Sequence, residues 1–162
     1  MKYEKLIKDF AERTMNNLVA IEKIAKAEEQ EGKGHTTFEV TQLVNSCLGV
    51  FIIPWAEHED MKWIPKTSLK ELEDDGWPIP SLINKSELRS DLNLRVLVEY
   101  IRNAVAHYNL KFTSDNNDQI NGLRMWNDNN DGTKRWESKL SKEDLRLLVK
   151  KFSQEIVQNL SE

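Results

Sequence analysis

An arginine, an asparagine and a histidine lie close together inside the largely apolar stretch EYIRNAVAHYNLKF at positions 99–112. They are Arg102, Asn103 and His107. A histidine transfers protons near neutral pH, an arginine binds phosphate through a planar fork of donors, and an amide can orient either of them. The three residues could therefore form a catalytic site on a helix, with the histidine transferring a proton. The alternative is a solvated helix flank on which the three residues do not act together.

The spacing of these residues limits how they can cooperate. On a helix, Asn103 and His107 are four residues apart and nearly superpose, whereas Arg102 points about 140° away from His107. Three arrangements stay open: the long arginine reaches round, the helix frays near His107, or a second copy of the helix supplies the complement. Two helices paired about a two-fold axis would place each arginine near the other chain's histidine.

The rest of the chain offers few other candidates for chemistry. His35, in GKGHTT, and His58, in AEHED, lie in polar loops and are expected to have surface roles. Cys47 is the single cysteine, and its apolar surroundings favour burial. The sequence has no glycine-rich phosphate loop, no HExxH motif and no serine in a nucleophile-elbow context. We therefore predict no cofactor and no metal ion.

Composition and charge limit the class of protein. The 162 residues are 39% hydrophobic and 31% charged, which is typical of one globular domain, here expected over 1–162. No apolar run approaches the roughly 20 residues of a membrane span, so a cytoplasmic protein without a membrane partner is expected. The net charge of −4 argues against a protein that coats nucleic acid. Residues 82–111 nevertheless carry five basic and three acidic side chains, which allows local phosphate binding.

Hydrophobic periodicity predicts four main helices. They are expected at about 3–30, 36–54, 91–108 and from 141 to the end. The second and the last begin with capping-box spacing, Thr36 with Glu39 and Ser141 with Asp144. In the third, Tyr108 falls on the apolar stripe, and the next residue, an asparagine that tolerates a left-handed backbone, is expected to end the helix.

Two further segments do not follow the helical period. All four prolines lie between 54 and 80, and three tryptophans accompany them, which predicts an ordered connection with short helical turns. The segments LKFTSD, INGLRMWND and TKRWESKL are separated by clusters of Asn and Asp, which predicts two or three short strands. Trp126 and Trp136, in these strands, are expected to be core residues, with stacking on a nucleotide base as the alternative.

The hexapeptide RNAVAH resembles the R-x4-6-H motif of the HEPN families, with Arg102, Asn103 and His107 at the matching positions. The resemblance extends to the organisation of most of 1–160. This organisation is similar to that of a standalone bacterial HEPN group. It implies a mainly α fold, a HEPN-like helical bundle with a long antiparallel helix pair. A short β-meander or hairpin insert would precede the C-terminal helix, and the whole chain would form a single HEPN-like domain.

The same resemblance implies a function. The chain would be a metal-independent endoribonuclease that cleaves RNA through attack of the ribose 2′-OH, as a toxin or defence effector. His107 would transfer protons, Arg102 would bind the phosphate, and Asn103 would orient the imidazole or the phosphate. Expected partners are RNA or a nucleotide, a second copy in a homodimer, and a cognate antitoxin protein. The alternatives are a non-catalytic HEPN module that binds a nucleotide or a partner protein, and a helical interaction protein of another kind.

Overall fold

The computed structural model describes six helices and three strands within residues 6–32, 39–57, 62–83, 92–116, 120–129 and 131–159. The order is α1 (Leu6–Gln30), α2 (Glu39–Glu57), α3 (Leu69–Asp74), α4 (Ile79–Leu82), α5 (Leu94–Ala106), β1 (Leu110–Ser114), β2 (Ile120–Asp128), β3 (Lys134–Ser141) and α6 (Lys142–Asn159).

Helix α2 is the central helix, because it packs against α1, α5 and α6. Its sequence is apolar on several faces, and such a helix is stable only when it is surrounded. The ring of Phe10 on α1 lies so close to Gly49 that a side chain at this position would clash with it. The expectation that this helix stops at Pro54 is wrong: α2 continues to Glu57 with Pro54 inside it. Burial of Pro54 between neighbouring elements offsets the hydrogen bond that its ring removes. Thr36, the expected cap, is outside the described residues.

The connection between α2 and α5 contains the short helices α3 and α4. The hydroxyl of Ser68 and the carboxylate of Glu71 form a capping box that begins α3. Trp77 is buried between the two helices and the core. Within the described part of this connection, the chain is therefore held by apolar burial and local caps.

The three strands form an antiparallel sheet in the order β1-β2-β3. Alternate residues of β2 and β3 are buried against the helices, among them Leu123, Met125, Trp136 and Leu140. The indole nitrogen of Trp136 donates to the carbonyl of Leu82, 2.8 Å away, and thereby ties β3 to α4. Sheet and helices share one hydrophobic core.

The prediction of a mainly α helical bundle with a short β insert is therefore wrong. Strands of five, nine and eight residues form a layer of their own, and α4, α5 and α6 pack on it, which is an α+β arrangement. The sheet supplies large side chains to the core that it shares with the helices. The expected strand segments themselves lie where the structure has β1, β2 and β3.

Helix α6 is the last element of the fold and packs against α2 and the sheet. The predicted capping box is present, since the backbone N–H of Asp144 donates to the hydroxyl of Ser141 and the Ser141 N–H donates to the Asp144 carboxylate, both at 3.1 Å. Phe152 on α6 stacks on Phe51 of α2 with 4.5 Å between ring centroids. Among the described helices, none is both long and apolar enough to cross a membrane.

Candidate functional site

Helix α5 carries the candidate site and is anchored on two sides. The side chain of Asn93 caps its first turn by accepting from the Val96 N–H at 3.3 Å. Seven of its thirteen residues are buried against α2 and the sheet: Leu94, Leu97, Val98, Tyr100, Ile101, Ala104 and Val105. The opposite face of α5 is left to carry polar side chains.

Helix α5 ends in a Schellman motif, which the sequence pattern does not predict. The Tyr108 N–H donates to the Val105 carbonyl at 3.1 Å, and the Asn109 N–H donates to the Ala104 carbonyl at 2.8 Å. His107 is the last residue before the left-handed position. That position is Tyr108, with φ 58°, so the expectation of a left-handed Asn109 is wrong. The expectation of Tyr108 on the apolar stripe is also wrong, because its side chain is 78% exposed.

An open cleft of about 380 Å³ lies where the end of α5 meets β2 and β3. The side chains that line it all carry hydrogen-bonding groups: Tyr100, Asn103, His107, Asn109, Asn127, Asp128 and Arg135. Asn103 and His107 are thus brought together, one helical turn apart, as the spacing indicated. The cleft combines a group that can transfer a proton with several donors for an anionic ligand.

Arg102 lies beside this cleft and does not line it. Its guanidinium Nη1 donates to the Asn103 side-chain oxygen at 2.7 Å. The Asn103 side-chain oxygen is thereby bonded to Arg102, and the amide nitrogen is the atom of this side chain that can donate. Within one chain, Arg102 is therefore linked to the cleft through Asn103.

Several cleft residues were missed at the level of sequence. Asn127 stands at a position of β2 where an apolar residue would continue the alternation, and it is 8% exposed. Its amide nitrogen donates to the backbone carbonyl of Tyr100 at 2.7 Å and holds α5 against the sheet. A buried asparagine among apolar neighbours was the available signal, because such a group needs a hydrogen-bond partner.

Arg135 is the second missed residue. Its Nε donates to the Tyr100 hydroxyl at 3.2 Å, and its guanidinium lies 5.0 Å from the centroid of the Tyr100 ring. Asp128 also lines the cleft. Among the described residues that line the cleft, Arg135 is therefore the basic and Asp128 the acidic side chain besides His107.

The other candidates that the structure describes do not line the cleft. His35 and His58 are outside the described residues. Burial raises the pKa of the Cys47 thiol to about 12, which leaves it unreactive as a nucleophile. Trp136 is 1% exposed and belongs to the core, whereas Trp126 is half-buried with Arg124 over its ring. In the described part of the chain, no three His, Cys, Asp or Glu side chains are grouped as metal ligands.

Comparison with known proteins gives one finding on family. A family model described as HEPN pEK499 p136 matches residues 1–162. Searches of curated proteins and of solved structures gave no match. The resemblance that the RNAVAH motif indicated is thereby confirmed.

Proposed function

The chain belongs to the HEPN pEK499 p136 family, and from that premise we propose that it is a metal-independent endoribonuclease acting as a toxin or defence effector. The observation that carries this proposal is the pairing of Asn103 and His107 in one polar cleft at the end of a rigidly anchored helix. A cleft of about 380 Å³ is large enough for a nucleotide unit of RNA, and it is open, as a polymer substrate requires.

The proposed reaction is an intramolecular phosphoryl transfer. The ribose 2′-oxygen attacks the adjacent phosphorus and loses its proton, while the bond from phosphorus to the 5′-oxygen breaks and that oxygen gains a proton. The products are a 2′,3′-cyclic phosphate and a 5′-hydroxyl end. His107 takes or gives one of these protons, because imidazole exchanges protons near neutral pH. The amide of Asn103 donates to a phosphate oxygen or orients the imidazole. No step of this scheme needs a metal ion.

Arg102 enters the proposal through a second copy of the chain. A guanidinium stabilises the charge that develops on the phosphate in the transition state. Since Arg102 flanks its own cleft and holds Asn103, we propose a homodimer in which two copies of α5 face each other and each Arg102 reaches the other chain's cleft. A nuclease that attacks cellular RNA has to be restrained, so a cognate antitoxin protein is part of the same proposal.

Cleavage of labelled RNA in the presence of EDTA tests the activity. We expect wild-type protein to cut RNA in EDTA and to leave cyclic phosphate ends, which phosphatase does not remove until acid opens the ring. We expect His107→Ala to reduce the rate by about 10²-fold or more, which is the usual contribution of a positioned acid or base. His107 is exposed, so the variant should keep its circular dichroism spectrum. Cleavage that needs added metal, or that survives His107→Ala unchanged, contradicts the proposal.

A non-catalytic module that binds a nucleotide is the second candidate. The net charge of −4 and the carboxylate of Asp128 at the cleft both oppose a long polyanion more than a single nucleotide. This candidate predicts nucleotide binding in calorimetry, weakened by Arg102→Ala, from a protein that cuts no RNA. The two candidates therefore separate on cleavage alone.

A further inference from the structure

The edge of the sheet beside the cleft contains a β-bulge. Asn127 of β2 pairs with Trp136 of β3, but the next residue, Asp128, pairs with Lys134, so Arg135 is left without a partner. In a regular strand Arg135 would point away from the face that carries Trp136. A bulge breaks this alternation and re-aims a side chain. The contact between Arg135 and Tyr100 of α5 shows that Arg135 is turned toward the helix.

Tyr100 holds the arginine at the cleft. The tyrosine ring is 4% exposed and packs on Trp136, with 5.8 Å between ring centroids, so it is a fixed support. The hydroxyl of Tyr100 accepts from Nε of Arg135, and the ring lies under the guanidinium. The hydrogen bond to Tyr100 uses Nε of Arg135 and does not involve its two terminal nitrogens. Two such nitrogens can donate to two oxygens of one phosphate.

Charge makes this arginine decisive for an anionic ligand. Arg135 is the one lysine or arginine among the described residues that line the cleft, and Asp128 is the one carboxylate. Among the described residues that line the cleft, loss of Arg135 would leave the carboxylate of Asp128, which repels a phosphate, and the nearest described guanidinium would then be that of Arg102 beside the cleft.

We propose that Arg135 is the residue that binds an RNA phosphate in this cleft, in the same chain as His107. The inference rests on the proposed ribonuclease function and adds a substrate-binding residue outside the RNAVAH motif. Arg102 and Arg135 then have different roles. Arg135 holds the RNA backbone in the ground state, and Arg102 acts from the other chain on the transition state.

The test compares two arginines of the same sheet. Arg135→Gln removes the proposed phosphate ligand. Arg124→Gln makes the same chemical change on β2, where the side chain lies over Trp126, pairs with Glu137 and does not line the cleft. We expect Arg135→Gln to raise KM for a short RNA by about tenfold or more, with a smaller change in kcat, as loss of a charged hydrogen bond does. Arg124→Gln should change KM less than about twofold, because its partly exposed ion pair with Glu137 lies away from the cleft.

Direct binding separates this inference from the ribonuclease proposal. The probe is a fluorescent 2′-O-methyl oligonucleotide, which has no 2′-hydroxyl to attack, and the readout is anisotropy at several salt concentrations. We expect Arg135→Gln to weaken binding about tenfold and to reduce the slope of log Kd against log salt by about 0.7, the value for one phosphate contact on a single strand. Arg135→Lys should fall between, because lysine keeps the charge without the planar fork.

Every outcome of these measurements either supports or overturns the assignment of Arg135. Equal losses in Arg135→Gln and Arg124→Gln would show a general charge effect and overturn the inference, as would unchanged binding in Arg135→Gln or no binding by wild-type protein. If wild-type protein binds the probe through Arg135 but cuts no RNA, the ribonuclease proposal fails and the inference stands. A thermal midpoint within a few degrees of wild type shows that a loss of binding is not unfolding.

Discussion

Tyr108 has a backbone conformation that glycine and asparagine adopt more readily than tyrosine. Its φ of 58° places it in the left-handed region, where a side chain crowds the following carbonyl. The hydrogen bonds of Tyr108 and Asn109 back to α5 hold it there. The ring is largely exposed and gains little from burial, so the strain is offset by neighbouring contacts rather than by the tyrosine itself.

We therefore expect Tyr108→Gly to raise the free energy of unfolding by up to about 1 kcal/mol, because glycine has no side chain to strain the turn. Urea denaturation followed by circular dichroism measures the change. Tyr108→Ala is the matched control, since it removes the same ring but keeps the Cβ atom that causes the strain. Equal stability of the two variants would show that backbone strain at this position is negligible.

At the scale of elements, α6 contains a carboxyl group, that of Glu155, whose surroundings disfavour its ionised form. Burial raises the pKa of Glu155, and the carboxylate of Asp75 adds to the rise, while Asn159 and Lys151 oppose it. A carboxyl whose pKa is raised on folding favours the folded state fully below its unfolded pKa. That contribution is lost as the pH rises through the folded pKa.

Glu155→Gln should accordingly raise the thermal midpoint at neutral pH, where the ionised carboxylate opposes folding. The gain should disappear below about pH 4, where the carboxyl is protonated in both states. Asn159 can still donate to the glutamine oxygen, so that hydrogen bond is kept. Glu73→Gln, at an exposed position of α3, controls for net charge. A similar gain in that variant would assign the effect to overall charge rather than to Glu155.

The elements differ in how far the sequence predicts them, and the reason is the range of the interactions. The approximate positions of α1, α5 and α6 follow from periodicity, and the start of α6 follows from the capping box of Ser141 and Asp144, because both signals involve residues within one or two turns. The weight of the sheet in the fold depends on contacts such as that of Trp136 with Leu82, 54 positions apart. Such a contact leaves no pattern in either segment. The sequence therefore predicts a short insert where the structure has a three-stranded layer.

The same reasoning applies to the site. Asn103 and His107 can be found from spacing alone because both lie on one helix. Arg135 cannot, because its direction depends on the register between β2 and β3 and on a bulge that only the paired strands reveal. The sequence therefore indicates the cleft residues on α5, whereas those on β2 and β3 depend on how the strands pair.

For the whole molecule, the proposed dimer predicts complementation between inactive variants. If Arg102 of one chain serves His107 of the other, each mixed dimer of Arg102→Ala and His107→Ala proteins has one cleft that combines His107 with an Arg102 from the other chain, although Asn103 of that cleft lacks its own chain's Arg102. After unfolding and refolding an equimolar mixture, up to about a quarter of wild-type RNA cleavage should return, since half of the dimers are mixed and each has one working cleft of two.

Each variant refolded alone is the control and should stay inactive. The oligomeric state is measured by light scattering on the same samples. A dimer that regains no activity on mixing would place both residues in the same cleft of one chain, and a monomer would exclude sharing altogether.

The short connection between α5 and β1 affects how the chain around the cleft can open locally. Only residues 107–109 separate the helix from the strand, and the Asn109 backbone is bonded in both directions, to Ala104 behind it and to Trp126 across the sheet. His107 is thus held between two elements of the core and not on a loop that can detach by itself. Local opening of a protein proceeds in cooperative units, and from these bonds we expect the cleft and the sheet to belong to one such unit. Loosening of the cleft should then require opening of the sheet as well.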